Sequence, residues 1–305
     1  MVTEVRSNTS DGFSYLSNEH LEVEIANVGG YAGSRFDWTG FVTQVYLKQG
    51  NHTFCTFEHK SGTLAAGGGG LCGEFGIFKP IGYEEVEVGG LFPKLGVGLL
   101  KRVDSLPFAF DAKYPIEPFQ VVVDAKATSI QYTIQPKECR GYAVKLIKKL
   151  VLSGSSLKVD YSLENVGTHT INTHEYVHNF VNIDGHSIGP DYRLSFSVPF
   201  EADLVESEYT PTILNFSGQE IRWTQVPSRD FYSTLVGYSN HEAIAWELVH
   251  EPSQVGIRET AAFPVSMIAL WGRSDVVSPE LFIDLELEPG ETRCWSRHYD
   301  FFSTS

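Results

Sequence analysis

Ser156-Leu157-Lys158-Val159-Asp160-Tyr161-Ser162-Leu163-Glu164-Asn165-Val166 is the stretch whose reading decides the fold. Side chains of an extended chain alternate between two faces with a period of two. Leu157, Val159, Tyr161 and Leu163 therefore share one face, and Lys158, Asp160, Ser162 and Glu164 share the other. An apolar face backed by a polar one is the pattern of a half-buried antiparallel strand. Ser153-Gly154-Ser155, just upstream, reads as a hairpin connection to the preceding run YAVKLIKKLVL. The same alternation recurs in LEVEIANV, FVTQVYL, FQVVVDA, SIQYTIQP, LSFSVPF, AIAWELV, SMIALWG and LFIDLELEPGETRCWSRHYDF, with Gly, Asn, Ser, Asp or Pro clusters between the runs.

Helix patterns are almost absent, and no Pro/Ser-rich linker or charge run divides the chain. The expectation is an all-β fold, a large antiparallel sandwich forming one domain over residues 1–305. That length suits the class, because β-sandwiches and barrels often exceed about 200 residues as one unit. The longest irregular stretch, roughly residues 53–106, contains Ala65-Ala66-Gly67-Gly68-Gly69-Gly70. Cys72, Phe75, Ile77 and Phe78 follow the glycines, so this stretch is expected to be ordered and to wrap one rim of a sheet. It lacks the GKS or GKT and the following helix of a phosphate loop.

Composition narrows the partners. Lys and Arg number 23 against 38 Asp and Glu, a formal charge of −15, which argues against nucleic-acid and anionic-membrane partners. The 20 Phe, 14 Tyr and 5 Trp suit strands and supply rings that can stack on sugars. Cys55, Cys72, Cys139 and Cys294 are scattered with no CxxC pair, so no zinc ribbon or dithiol site is expected and the thiols are read as free. The N-terminus lacks the basic and apolar regions of a signal peptide, and no apolar run approaches a membrane span. A cytoplasmic protein is expected, with the sequons at Asn8, Asn51 and Asn215 as chance matches. His52, His59, His186, His241 and His250 show no metal-ligand spacing.

Chemistry concentrates in Thr173-His174-Glu175-Tyr176-Val177-His178-Asn179-Phe180. Extended, this run places His174, Tyr176, His178 and Phe180 on one face, with Glu175, Val177 and Asn179 on the other. Two imidazoles beside a phenol suit proton transfer near neutral pH. Leu71-Cys72-Gly73-Glu74-Phe75-Gly76 sets Glu74 between glycines, where backbone and ligand can approach closely. In Ser278 to Glu291, alternation gathers Glu280, Phe282, Asp284, Glu286 and Glu288 opposite Leu281, Ile283, Leu285 and Leu287. Glu280 follows a proline, at what reads as the strand's start near the sheet rim. Arg35, in what reads as a strand with aromatic neighbours, is a candidate hydroxyl or anion binder, or a partner for an acidic side chain. Trp271 and Arg273 stand close before Glu280 as candidate pocket walls.

Taken in order over roughly residues 150–301, these features resemble the aldose 1-epimerase (galactose mutarotase-like) superfamily. The carriers are Tyr161 to Asn165 leading to His174 and Tyr176, Glu280 ahead of Pro289-Gly290-Glu291, and the final Tyr299-Asp300-Phe301. The resemblance implies an open, concave sugar-binding face and a reaction needing no cofactor or metal. In it a Glu removes the proton of the C1 hydroxyl while a protonated His, across the anomeric centre, donates to the ring oxygen. Glu280 fits the base. The H-x-Y match favours His174 as the acid, and the His-Asn-Phe match favours His178. The family's second, substrate-holding His in an H-G-G context has no counterpart; Glu74 occupies the equivalent region. Two other readings keep the fold: a glycan hydrolase or lyase using Glu74 and Glu280, and a non-catalytic carbohydrate-binding protein. The expected partner is a small-molecule sugar, and oligomeric state is not legible.

Overall fold

The computed structural model describes residues 12–58, 67–204, 207–239 and 243–303. Asn8, His59, Ala65, Ala66 and His241 lie outside the described residues. Among the described residues two ten-stranded sheets dominate, every assigned strand pair is antiparallel, and the one helix is Thr210–Ile213. The first sheet runs in space through Leu21–Ala26, Phe41–Leu47, Leu71–Phe75, Ile171–Asn179, Val276–Leu287, Met267–Arg273 and Phe231–Val236. The second has Val255–Ala262, Thr292–Ser303, Ser156–Asn165 and Val144–Ser153 at its centre. Among the described residues no helix is long and apolar enough to cross a membrane. All four cysteines are unpaired.

Most of the alternating runs form strands with their apolar face inside, although Val121–Lys126 stays largely exposed. Along Ser156–Asn165 burial alternates at every residue, with Leu157, Val159, Tyr161 and Leu163 inside. The hairpin before it closes with Ser153 paired to Ser156 and Gly154 at φ 57°, a conformation glycine adopts without steric cost. The inward rows of both sheets form one apolar cluster, from Val23, Leu71, Val177 and Ile283 to Leu157, Trp246 and Phe301.

Two expectations are corrected here. Leu71–Phe75 is not a rim but a central strand between Phe41–Leu47 and Ile171–Asn179. All five residues are buried, so no alternation marks it. The rest of that stretch supplies Leu91–Lys94 and Gly98–Lys101, which with Ile116–Pro118 form a separate three-stranded sheet. Glu280 likewise sits inside a strand rather than at its start, because Val276–Leu287 continues back through Pro279.

That proline coincides with a split in the first sheet. Ile171–Asn179 and Val276–Leu287 pair from Ile171 opposite Leu287 up to Glu175 opposite Ile283. The same register resumes at Val181 opposite Val277. Counted along both strands, Tyr176 faces Phe282, His178 faces Glu280 and Asn179 faces Pro279, which has no N–H to give. Side chains take over the ladder's hydrogen bonds in the gap. Asn179 Nδ2 donates to the Pro279 carbonyl at 2.6 Å, Arg297 Nη2 to the Leu281 carbonyl at 2.9 Å, and the Asn179 N–H to Ser278 Oγ at 2.9 Å.

Arg297 reaches the gap from the second sheet. It is fully buried between Glu175 of the first sheet and Glu259 of the second, each at 2.6 Å. Glu259 also accepts from Trp246 Nε1 and Asn179 Nδ2, at 2.8 and 3.1 Å. Removing one member of a buried ionic cluster strands its partners, and typically costs about 3–5 kcal/mol. Arg297→Met is expected to lower unfolding free energy by about that much in urea titrations, and Arg297→Met with Glu175→Gln and Glu259→Gln together by less.

Candidate functional site

Above the split lies an open cavity of about 750 Å³, lined by Arg35, Tyr176, His178, Trp271, Glu280 and Phe282 with Glu58, Ile77, Phe78, Phe110, Asp203, Ser207, Asp230, Tyr232 and Thr234. Its floor is the face of Ile171–Asn179 that carries His174, Tyr176, His178 and, just past the strand, Phe180. His178 Nε2 stands 3.4 Å from Glu280 Oε1. The imidazole is held flat against Phe180, with ring centroids 4.0 Å apart, and edge-on to Trp271. Tyr176 stacks on Phe282 at 4.4 Å. Cross-strand pairing thus sets two aromatic rings and an acid–base pair side by side.

Burial governs the charge of this pair. It pushes the Glu280 carboxyl up to about 8, although the Ser278 hydroxyl and Arg35 oppose it. It drives His178 well below the usual imidazole range, and Arg35 adds to the effect. His178 Nδ1 has no hydrogen-bond partner, so nothing supports a second ring proton there. A neutral ring with its proton on Nε2, 3.4 Å from Glu280 Oε1, leaves an acceptor lone pair rather than a donor unsatisfied at Nδ1.

His174 shares the face but not the cavity. It packs between Phe78 and Phe282, and its Nε2 accepts the Phe78 N–H at 3.3 Å. The nitrogen that would serve as an acid is already occupied. Arg35 does line the cavity, but from a loop between Leu21–Ala26 and Phe41–Leu47 rather than from a strand. The loop is pinned by the Asp37 N–H to the Gly73 carbonyl at 2.8 Å, and by buried Lys148, which donates to Asp37 Oδ2 and the Thr39 carbonyl. Its guanidinium lies between the rings of Phe36 and Phe110, 4.5 and 4.4 Å from their centroids.

Glu74 is fully buried and does not line the cavity. Its Oε2 accepts from Arg35 Nε at 2.9 Å and the Tyr176 hydroxyl at 2.7 Å, and its Oε1 from Lys94 Nζ at 3.1 Å. Burial pushes its carboxyl up, but Lys94 and Arg35 outweigh this and hold it below the usual range. Glu74 therefore orients Arg35 and Tyr176. Trp271 lines the cavity, whereas Arg273 does not. Arg273 bonds Asp275 and the Glu58 carbonyl, and faces a smaller neighbouring cavity.

Sequence reasoning passed over Lys94, Ser278 and Arg297. Lys94 had a signal, a single cation in the apolar run LFPKLGVGLL. Ser278 had none.

The state of His174 has a consequence for stability. Burial lowers its pKa to about 4, against 6.5 for the free side chain. The unfolded chain therefore takes up this proton first as pH falls. Stability from neutral His174 is present above about pH 6.5 and is lost progressively toward pH 4, on the order of 3 kcal/mol over the interval. In His174→Gln, the drop in unfolding free energy between pH 7 and pH 4.5 is expected to be smaller than in the parent by a comparable amount.

No family model matches the sequence, and no curated protein matches it. Solved structures do resemble it. The Slr1438 protein from Synechocystis sp. PCC 6803 aligns with a TM-score of 0.62 at 13% identity, over 96% of each chain. A galactose mutarotase-like protein from Lactobacillus casei aligns at 0.62 and 14% identity, over 95% of this chain and 100% of that one. The GalM/aldose epimerase homologue from C. elegans aligns at 0.59 and 12%, over 96% of this chain and 99% of that one. At such identities the likeness is one of fold, and the chain has the galactose mutarotase-like sandwich fold.

Proposed function

We propose that this chain interconverts the anomers of an aldose by acid–base ring opening at His178 and Glu280. The observation that carries the reading is their contact at 3.4 Å on the floor of an aromatic-walled cavity. The C1 hydroxyl and the ring oxygen are bonded to the same carbon. A base and an acid held side by side, as here, can therefore serve both oxygens, whereas the resemblance implies groups on opposite sides of the sugar. Once the pair's single proton has passed from Glu280 to His178, ionised Glu280 accepts the hydroxyl proton, the bond from C1 to the ring oxygen breaks, and His178 delivers its extra proton to that oxygen. The aldehyde rotates and the steps reverse on its other face. Protons return to their starting places, so no cofactor is consumed.

One acid and one base together carry one proton. Burial keeps that count across neutral pH, because His178 gives up its proton well below the usual range and Glu280 holds one up to about 8. The catalytic form is the one-proton pair, whichever partner holds the proton at rest. Arg35 supplies hydrogen bonds to hydroxyls, and Trp271, Phe282 and Tyr232 supply faces for the ring. The cavity's mixture of one guanidinium with Glu58, Asp203 and Asp230 suits a neutral, hydroxyl-rich sugar. A cytoplasmic location fits such a substrate. A hydrolase built on Glu74 and Glu280 is disfavoured by the burial and full engagement of Glu74.

Proton NMR of anomeric exchange on freshly dissolved aldoses tests the proposal. Glu280→Gln and His178→Asn are each expected to slow catalysed exchange by about 10²–10⁴-fold, and His174→Asn by no more than a few-fold. kcat/KM is expected to hold steady near neutrality and to fall as pH rises through about 8, where the pair loses its single proton. Binding without accelerated exchange would instead identify a carbohydrate-binding protein.

A further inference from the structure

Ser278 is completely buried and was assigned no part in the reaction above. It lies at the split in the first sheet, two residues before Glu280 on the same strand, so both side chains point to the cavity side. Its Oγ accepts the backbone N–H of Asn179 at 2.9 Å and donates to Glu280 Oε1 at 2.9 Å. The backbone N–H takes one lone pair of Oγ, and the hydroxyl proton points at the carboxyl. His178 Nε2 stands 3.4 Å from the same oxygen.

We propose that Ser278 is a positioning residue that fixes the division of labour within the Glu280 carboxyl, holding Oε1 as a permanent acceptor and leaving Oε2 to exchange the substrate's proton. The inference deepens the acid–base reading of Glu280 and rests on it. Oε1 already accepts from Ser278 and lies 3.4 Å from His178 Nε2, so the acid proton of Glu280, when present, resides on Oε2. The carboxyl cannot swing away to exchange the two oxygens without breaking the bond to Ser278.

The relay is anchored from behind. Asn179, whose N–H orients Ser278, is itself held by Pro279, Glu259 and the Tyr299 hydroxyl. The other groups acting on Glu280 are His178 on the facing strand, Arg35 from its loop, and Glu74 and Tyr176. Glu58, Asp203 and Asp230 line the same cavity. The strand on the far side, Met267–Arg273, places uncharged Ala269 opposite Glu280. Among the described residues, Ser278 makes the hydrogen bond to this carboxylate. Its hydrogen bond favours the ionised form, so its loss makes Glu280 harder to ionise.

The test uses the full chain with 13C-labelled Glu side chains, the Glu280 carboxyl signal being assigned by its absence in Glu280→Gln. Ser278→Ala is expected to raise the carboxyl's midpoint by about one unit or more, the size of a lost hydrogen bond to a charged group. The falling limb of kcat/KM should move upward with it, kcat should drop, and KM should change less than about two-fold. Ser278→Thr, which keeps the hydroxyl, should restore the parent values. Ser278→Cys is nearly isosteric but a weaker donor, so it should shift the midpoint the same way even if the alanine variant does not fold. An unmoved carboxyl titration in both Ser278→Ala and Ser278→Cys would overturn the proposal. A chain that catalyses no anomeric exchange would instead overturn the functional reading, and the carboxyl titration would still decide the role of Ser278.

Discussion

Arg297 bonded between Glu175 and Glu259 is the constraint on which the rest depends. Two sheets that meet only through apolar side chains can slide against one another with modest cost, since hydrophobic attraction has no direction. A fork of charge-assisted hydrogen bonds between planar groups fixes both distance and angle. Here the fork joins the two sheets at the point where the first sheet splits. Burial raises Glu259, with Arg297 only partly offsetting it, and burial drives Arg297 toward neutrality until the paired carboxylates more than reverse that. The cluster is a registration device whose loss is costly, rather than a source of net stability.

The split turns that rigidity into a site. In an unbroken ladder, His178 and Glu280 would be one more cross-strand pair on a sheet face. Pro279 cannot continue the ladder, and side chains from both sheets replace the missing bonds. The strands stay in register across the gap while the hydrogen-bonding groups around it are committed to side chains. Catalytic groups gain most from positions their surroundings have already fixed, because no reorganisation is then needed during reaction. Arg35 and Tyr176 are treated the same way, through buried Glu74 and Lys94.

The all-β sandwich was legible because most of its strands have one wet face, as the alternation along Ser156–Asn165 shows. Legibility failed where strands are covered on both faces. Leu71–Phe75 reads as loop by its glycines, and is in fact central. The face carrying His174, Tyr176 and His178 followed from period two alone. Which histidine enters the cavity did not follow, because it depends on Phe78 covering one and on the opposing Glu280 contacting the other. Glu280 stood out, but Ser278 beside it did not, since the function of a serine here lies in the direction of its hydroxyl. Arg297 was unreadable for a related reason: its partners are 122 and 38 positions away in the chain.

The central claim is that burial holds the adjacent acid and base as a neutral pair at neutral pH, with their one shared proton resting on Glu280. Nitrogen-15 NMR of labelled imidazoles, with His178 assigned through His178→Asn, tests it most directly. The account expects His178 at pH 7 to be a neutral ring protonated on Nε2 alone. A fully protonated His178 at pH 7 that persists well above pH 8 would contradict it, because the pair would then be an ion pair fixed by charge rather than a neutral pair fixed by burial.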